Sequence, residues 1–212
     1  MKVLLALFVI LASVSQGFAQ GQSAAFTNQK ASEVRCRDYL RKTGRINDDV
    51  ILPLLWLDGL YSGKNDDVPH FLTFGTAISP DSIGPACLKE PEQFLLTLVE
   101  DIRKNSKTSA TPARNTGKDW PHVQEQRLQN PITEMNCRDI GWTKESFKER
   151  VFILEAGAFP QVWFDGYLAG RQNFDRTMGE LMDLVNSVRP LRNACREDDE
   201  QKLVDIRQKS LK

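Results

Sequence analysis

The chain has 212 residues, and its 28 Lys and Arg balance 28 Asp and Glu, with 41% of residues hydrophobic. A dense, even mixture of both signs describes a solvated surface, and the lack of a basic block or an aromatic stacking platform argues against a nucleic-acid partner. The 4 cysteines and 2 histidines show neither close Cys-x-x-Cys spacing nor clustered histidines, so no metal and no cofactor is expected.

In chain order, Lys2, the apolar run 3–12 and the small residues Gly17-Phe18-Ala19 read as a secretory signal over 1–19, cleaved after Ala19. That run is too short for the about 20 residues that span a bilayer, and no later stretch is longer, so no stable membrane insertion is expected. Residues 20–32 are small and polar, a frayed start. A helical domain is expected over 33–104. Pro53 suits the first position of one helix, Ser79-Pro80-Asp81 opens a second through Cys87, and Glu90-Pro91-Glu92 opens a third to about Lys104. In the third, Phe94, Leu95, Leu98, Val99 and Ile102 recur at spacing three and four.

Residues 105–130 carry two prolines and no apolar period, a linker. A second helical domain is expected over 132–207. There Thr143 can cap a helix through Leu154, Pro160 suits a helix start, and Met178, Leu181, Met182, Leu184, Val185 and Val188 mark another helix. Leu203, Val204 and Ile206 are the counterpart of the first domain's closing stripe. Nothing alternates as strands do. The fold class is all-α: two small disulfide-closed helical domains in tandem.

The tandem reading comes from an internal repeat. Residues 53–64 read Pro-Leu-Leu-Trp-Leu-Asp-Gly-Leu-Tyr-Ser-Gly-Lys, and residues 160–171 read Pro-Gln-Val-Trp-Phe-Asp-Gly-Tyr-Leu-Ala-Gly-Arg. Cys36-Arg37-Asp38 returns as Cys137-Arg138-Asp139, and Ala86-Cys87 returns as Ala194-Cys195, at offsets of 101, 107 and 108 residues. Function therefore has to be sought in what one unit does twice. Each copy holds one cysteine near its start and one near its end, which selects Cys36–Cys87 and Cys137–Cys195 from the three connectivities open to four cysteines. Closing a loop of about 50 residues is worth roughly 4 kcal/mol, which a domain of about 70 residues needs.

The repeated helix is apolar around most of its circumference. Leu54, Leu55, Trp56, Leu57, Leu60 and Tyr61 in the first copy match Val162, Trp163, Phe164, Tyr167 and Leu168 in the second. Such a helix must be covered on nearly all sides, either as the centre of its own small core or against a partner: the other copy or a second chain. Gly59 and Gly63, with Gly166 and Gly170, put small residues four apart on one face and read as a packing seam. Asp58 and Asp165 are the only charges in these turns. Their plain role is a hydrogen bond to nearby backbone or a cap; their sharper role is a pH-sensing carboxylate in an apolar setting. Catalysis has little to work with. His70 falls in a loop and His122 in the linker, neither repeated, the cysteines are committed to bridges, and no nucleophile or phosphate motif occurs, so no catalytic residue and no enzyme is expected.

Cys36-Arg37-Asp38-Tyr39-Leu40, Pro53 leading into Trp56-Leu57-Asp58-Gly59-Leu60-Tyr61-Ser62-Gly63, and Ala86-Cys87-Leu88-Lys89-Glu90-Pro91 make the first copy resemble the HdeA/HdeB family of periplasmic acid-stress chaperones. The second copy resembles it through Cys137-Arg138-Asp139, Trp163-Phe164-Asp165-Gly166-Tyr167-Leu168-Ala169-Gly170 and Ala194-Cys195. The resemblance implies a periplasmic protein that hides apolar surface near neutral pH. In acid it loosens and holds unfolding client proteins, with the disulfides keeping each unit partly collapsed. It makes Leu54, Leu55, Trp56, Leu57, Leu60, Val162, Trp163, Phe164 and Leu168 the interface and client surface. Family members are usually single domains, so two copies in one chain imply intramolecular pairing or a homodimer. The rival reading is a periplasmic inhibitor or immunity protein that binds one protein partner, since Gly-Tyr-x-x-Gly at 166–170 also resembles small disulfide-bonded helical immunity proteins.

Overall fold

The computed structural model describes residues 26–40, 51–70, 78, 80–106, 130–149 and 154–211. The signal stretch 1–19, linker residues 107–129 and His122 within them lie outside the described residues. In the first repeat α1 is Cys36–Tyr39, α2 Ile51–Asn65, α3 Pro80–Lys89 and α4 Leu95–Ser106. In the second α5 is Lys144–Glu149, α6 Leu154–Gln172, α7 Met178–Asn186, α8 Arg189–Glu197 and α9 Leu203–Ser210. Short 3-10 turns occupy Ala31–Glu33, Ile132–Glu134 and Cys137–Ile140. The described residues are helical, and their only β-type pairings are four isolated bridges.

Several boundaries differ from the sequence reading. Helix α2 begins two residues before Pro53, which the first turn tolerates because its N–H groups have no intrahelical partner. Pro160 does not start α6 but lies inside it. An interior proline normally breaks a helix. Here Gly157 and Ala158 in the turn before it are buried, with Gly157 lodged against the Trp142 indole, and that packing carries the helix through. Glu90-Pro91-Glu92 forms a turn rather than a helix start, and α4 opens at Leu95 after Phe94 bridges to Arg35. The helix expected to reach Val188 stops at Asn186; α8 then starts afresh, with Pro190 in its first turn. Thr143 does cap α5, accepting from the Ser146 N–H at 3.1 Å, but α5 is Lys144–Glu149 and residues 150–153 of the helix expected through Leu154 lie outside the described residues.

Both disulfides form within repeats, Cys36–Cys87 and Cys137–Cys195. Each ties the chain entering its repeat to the helix that precedes the closing one. The same entry strand is also strapped to the closing helix: the Leu95 N–H donates to the Val34 carbonyl, and the Leu203 N–H to that of Met135, both at 2.9 Å.

The two repeats are not separate bodies. The start of each crosses to the other: Lys30 bridges to Thr177, and Pro131 bridges to His70. The Ala31 N–H donates to the Arg176 carbonyl at 2.7 Å, and the Ile132 N–H to the Pro69 carbonyl at 2.8 Å. These pairs are related by the offsets 101 and 107 of the sequence repeat, so the contact is reciprocal, as in a two-fold dimer. Thus part of the expected frayed start, at Lys30 and Ala31, is a built contact, with Ala31 fully buried. Asp66 and Asn173, also 107 apart, adopt left-handed backbone (φ 54° and 55°) where α2 and α6 end, a conformation Asp and Asn tolerate better than most residues. One hydrophobic cluster runs through both halves, from Ala31 and Val34 to Leu203 and Ile206, with α2 and α6 at its centre.

Candidate functional site at the crossing of the repeated helices

Helices α2 and α6 cross at a seam of four glycines. A Cβ on Gly59 would fall within 3.0 Å of the Trp163 carbonyl oxygen, one on Gly63 within that distance of the Tyr167 oxygen, and one on Gly166 likewise from Trp56. Gly170 meets the Leu60 oxygen in the same way. Real Cβ atoms essentially never sit so close to another group. Only glycine lets the two backbones meet here, and this settles what the repeated Gly-x-x-x-Gly spacing is for.

Around the seam the nine residues expected to form the interface are all buried, Leu54, Leu55, Trp56, Leu57 and Leu60 from α2 and Val162, Trp163, Phe164 and Leu168 from α6, while Tyr167 is partly buried. Trp163 stacks on Tyr167 with ring centroids 5.5 Å apart. The cover demanded by an all-round apolar helix comes from the other copy together with neighbouring helices of the same repeat, α4 for α2 and α7 and α9 for α6.

Both aspartates sit in this seam, and each answers the tryptophan of the opposite repeat. The Trp56 indole N–H donates to Asp165 Oδ2 at 2.9 Å, and the Trp163 indole N–H donates to Asp58 Oδ2 at 2.7 Å. The sequence reading expected backbone partners; the partner is instead a side chain about a hundred residues away. An indole in a core brings one N–H that needs an acceptor, and the carboxylate supplies it.

The charge around the two carboxylates is not symmetric. Asp165 is gripped by two guanidiniums of its own repeat. Arg176 from the α6–α7 junction approaches at 3.1 Å, and Arg207 from α9 donates at 2.6 Å. Burial alone would raise the Asp165 pKa, but the Arg176 hydrogen bond and the charge of Arg207 outweigh it and hold the carboxyl below the usual range. Asp58 has one guanidinium, Arg103 of α4, with Nε at 3.4 Å, and Arg103 is shared with Asp67. Here burial prevails over Arg103 and the Trp163 hydrogen bond, and the Asp58 pKa is raised.

Arg103, Arg176 and Arg207 escaped the sequence reading because they do not occupy matching positions in the two repeats. The available signal was an arginine directly after an apolar-stripe residue, as in Ile102-Arg103 and Ile206-Arg207. Beside Asp165 lies an open cleft of about 290 Å³, lined by Arg176, Asp183, Ser187, Pro190, Arg207 and Ser210, which brings solvent to the arginines that hold it.

Among the described residues no group of three or more His, Cys, Asp or Glu is placed to hold a metal ion, and no helix is long and apolar enough to cross a membrane. Compared with protein-family models, curated proteins and solved structures, the chain matches none of them.

Proposed function

We propose that this chain is an exported, non-enzymatic holding chaperone of the periplasm, shut near neutral pH and opened by acid. The observation that carries the reading is the burial of two over-apolar helices against each other, behind a lock whose parts include ionisable carboxylates.

The signs of the two latches differ. Asp165 has a lowered pKa when folded. The stability it contributes is present above its unfolded value of about 3.9 and is lost as pH falls through the folded value. Asp58 has a raised pKa. The folded state therefore gains from its protonation as pH falls through that raised value toward about 4. The second latch is the acid-labile one, and the first holds.

Magnitudes show that Asp165 does not act alone. Losing the charge that pairs two partly exposed arginines costs about 2–4 kcal/mol, against a net stability of about 5–15 kcal/mol for a typical fold. The remainder comes from self-repulsion. Protonating every carboxylate leaves 27 Lys and Arg and 2 His cationic once residues 1–19, with Lys2, are removed. The disulfides then keep each opened repeat together, so Trp56, Phe164 and their neighbours are offered to clients without full unfolding.

The rival, a binding module docking one periplasmic partner through the same helices, needs them exposed at neutral pH, and they are buried. A neutral-pH pulldown separates the two: one stoichiometric partner favours the module. The chaperone reading is tested by acidifying a denaturation-prone periplasmic extract to about pH 2–3, below the carboxylate range, with and without the protein. Client proteins that pellet equally in both would end it.

A further inference from the structure

The division of labour within the latches has a consequence for assembly. Each carboxylate takes its guanidinium from its own repeat: Asp58 from Arg103, Asp165 from Arg176 and Arg207. Among the described residues, what crosses between repeats includes one indole N–H each way, the main-chain bridges Lys30–Thr177 and His70–Pro131 with their backbone hydrogen bonds, the Ser32 hydroxyl donating to Asp175, the shared apolar cluster and the glycine seam. At the edge Arg171 pairs with Asp66 at 3.0 Å, both side chains being exposed. None of these contacts requires both repeats to belong to one chain. No disulfide joins the repeats, and the 23 residues at 107–129 extend at most to about 80 Å.

We propose that the closed interface is also the docking surface for a second copy of this chain, reached by exchange. The first repeat of one chain closes on the second repeat of another, and the reverse. In the resulting two-fold dimer each aspartate receives its indole from the partner copy. The inference stands on the closed geometry alone and does not rest on the acid reading.

Competition sets when exchange occurs. Joined to each repeat within one chain, the other repeat is present at an effective concentration of about a millimolar. Exchange is therefore minor at micromolar chain and comparable at millimolar. It also requires prior opening, because the seam buries Trp56 and Trp163 completely. Once closed, the dimer outlives dilution for the same reason.

The test uses two full-length variants, Asp66→Cys and Arg171→Cys, at exposed positions that face each other only across the interface. The chains are mixed at about 10 µM and at about 1 mM, spanning the effective concentration. They are opened by acid in one arm and by about 8 M urea near pH 5 in the other, where thiolate exchange is slow. After return to neutral pH, a short bismaleimide is added and products are sized. Crosslinked heterodimer is expected after opening, at least about tenfold more of it at the higher concentration, and none in mixed but unopened samples. Chains that regain native circular dichroism in both arms yet give no heterodimer overturn the inference. A dimer that resists this crosslink also overturns it, since it assembles through another face. Heterodimer from urea but not from acid supports exchange while counting against the acid-opened chaperone.

Discussion

Gly166→Ala isolates the seam from everything else in the fold. The added methyl would sit under 3.0 Å from the Trp56 carbonyl oxygen and carbon, whereas ordinary contact begins at 3.4 Å. The obstacle is backbone in the middle of α2, so no rotamer change relieves it, and the helices must part by more than 0.4 Å. Overpacking of this kind costs about 1–3 kcal/mol. A gap of 0.5–1 Å also forfeits roughly a quarter to a half of each dispersion contact along the opened seam. Against this, alanine gains about 1 kcal/mol of helix propensity.

The net expectation is a loss of about 2–4 kcal/mol, which for a urea slope of about 2 kcal/mol/M lowers the midpoint by about 1–2 M. Gly179→Ala in α7 serves as the reference. Its methyl would meet the Thr27 oxygen at 3.1 Å, a contact that needs only a few tenths of an ångström of give, so the midpoint should move by less than about 0.5 M. Tryptophan fluorescence reports both. A Gly166→Ala midpoint equal to or above that of the unaltered chain refutes the close-crossing account.

The latches give a second comparison: at neutral pH Asp165→Asn should cost about 2–4 kcal/mol, because Arg176 and Arg207 lose their shared anion. Asp58→Asn should cost about 1 kcal/mol or less, since the amide oxygen still accepts from Trp163 and Arg103 retains Asp67. Equal losses in urea titrations would contradict the charge asymmetry. Asp165→Asn should also flatten the fall of stability below about pH 4, read as a midpoint that changes less with pH than that of the unaltered chain. Replacing Cys36 and Cys87 together by serine opens a loop with a sequence separation of 51 and should remove about 4 kcal/mol of stability. A thermal midpoint within about 2 °C of the unaltered chain would show the bridge to be dispensable.

What the two copies share could be read from the chain; what differs between them could not. The twin tryptophan, aspartate and glycine positions pointed to one seam, and the cysteine spacing to bridges within repeats, because each signal occurs twice. The Trp–Asp pairing between copies spans 105 and 109 residues, and nothing local encodes which partner an indole finds. Pro160 was misplaced by a sound local rule that tertiary packing of Gly157 against Trp142 overrides. Helix α8 hides because Arg-Pro-Leu-Arg-Asn-Ala-Cys-Arg-Glu carries only Leu191 and Cys195 as buried anchors, too sparse for a visible stripe. The arginines behind the pH asymmetry are single-copy features and vanish from any reading built on repetition.

The central claim is that acid uncovers the α2–α6 seam. It is tested most directly by following near-UV circular dichroism and apolar-dye fluorescence together from about pH 7 to 2, a range that spans carboxylate titration. The account predicts intact tryptophan signals and little dye binding near neutrality, then loss of the former and a rise of the latter below about pH 4. A chain that keeps its near-UV spectrum and excludes the dye at about pH 2 contradicts it.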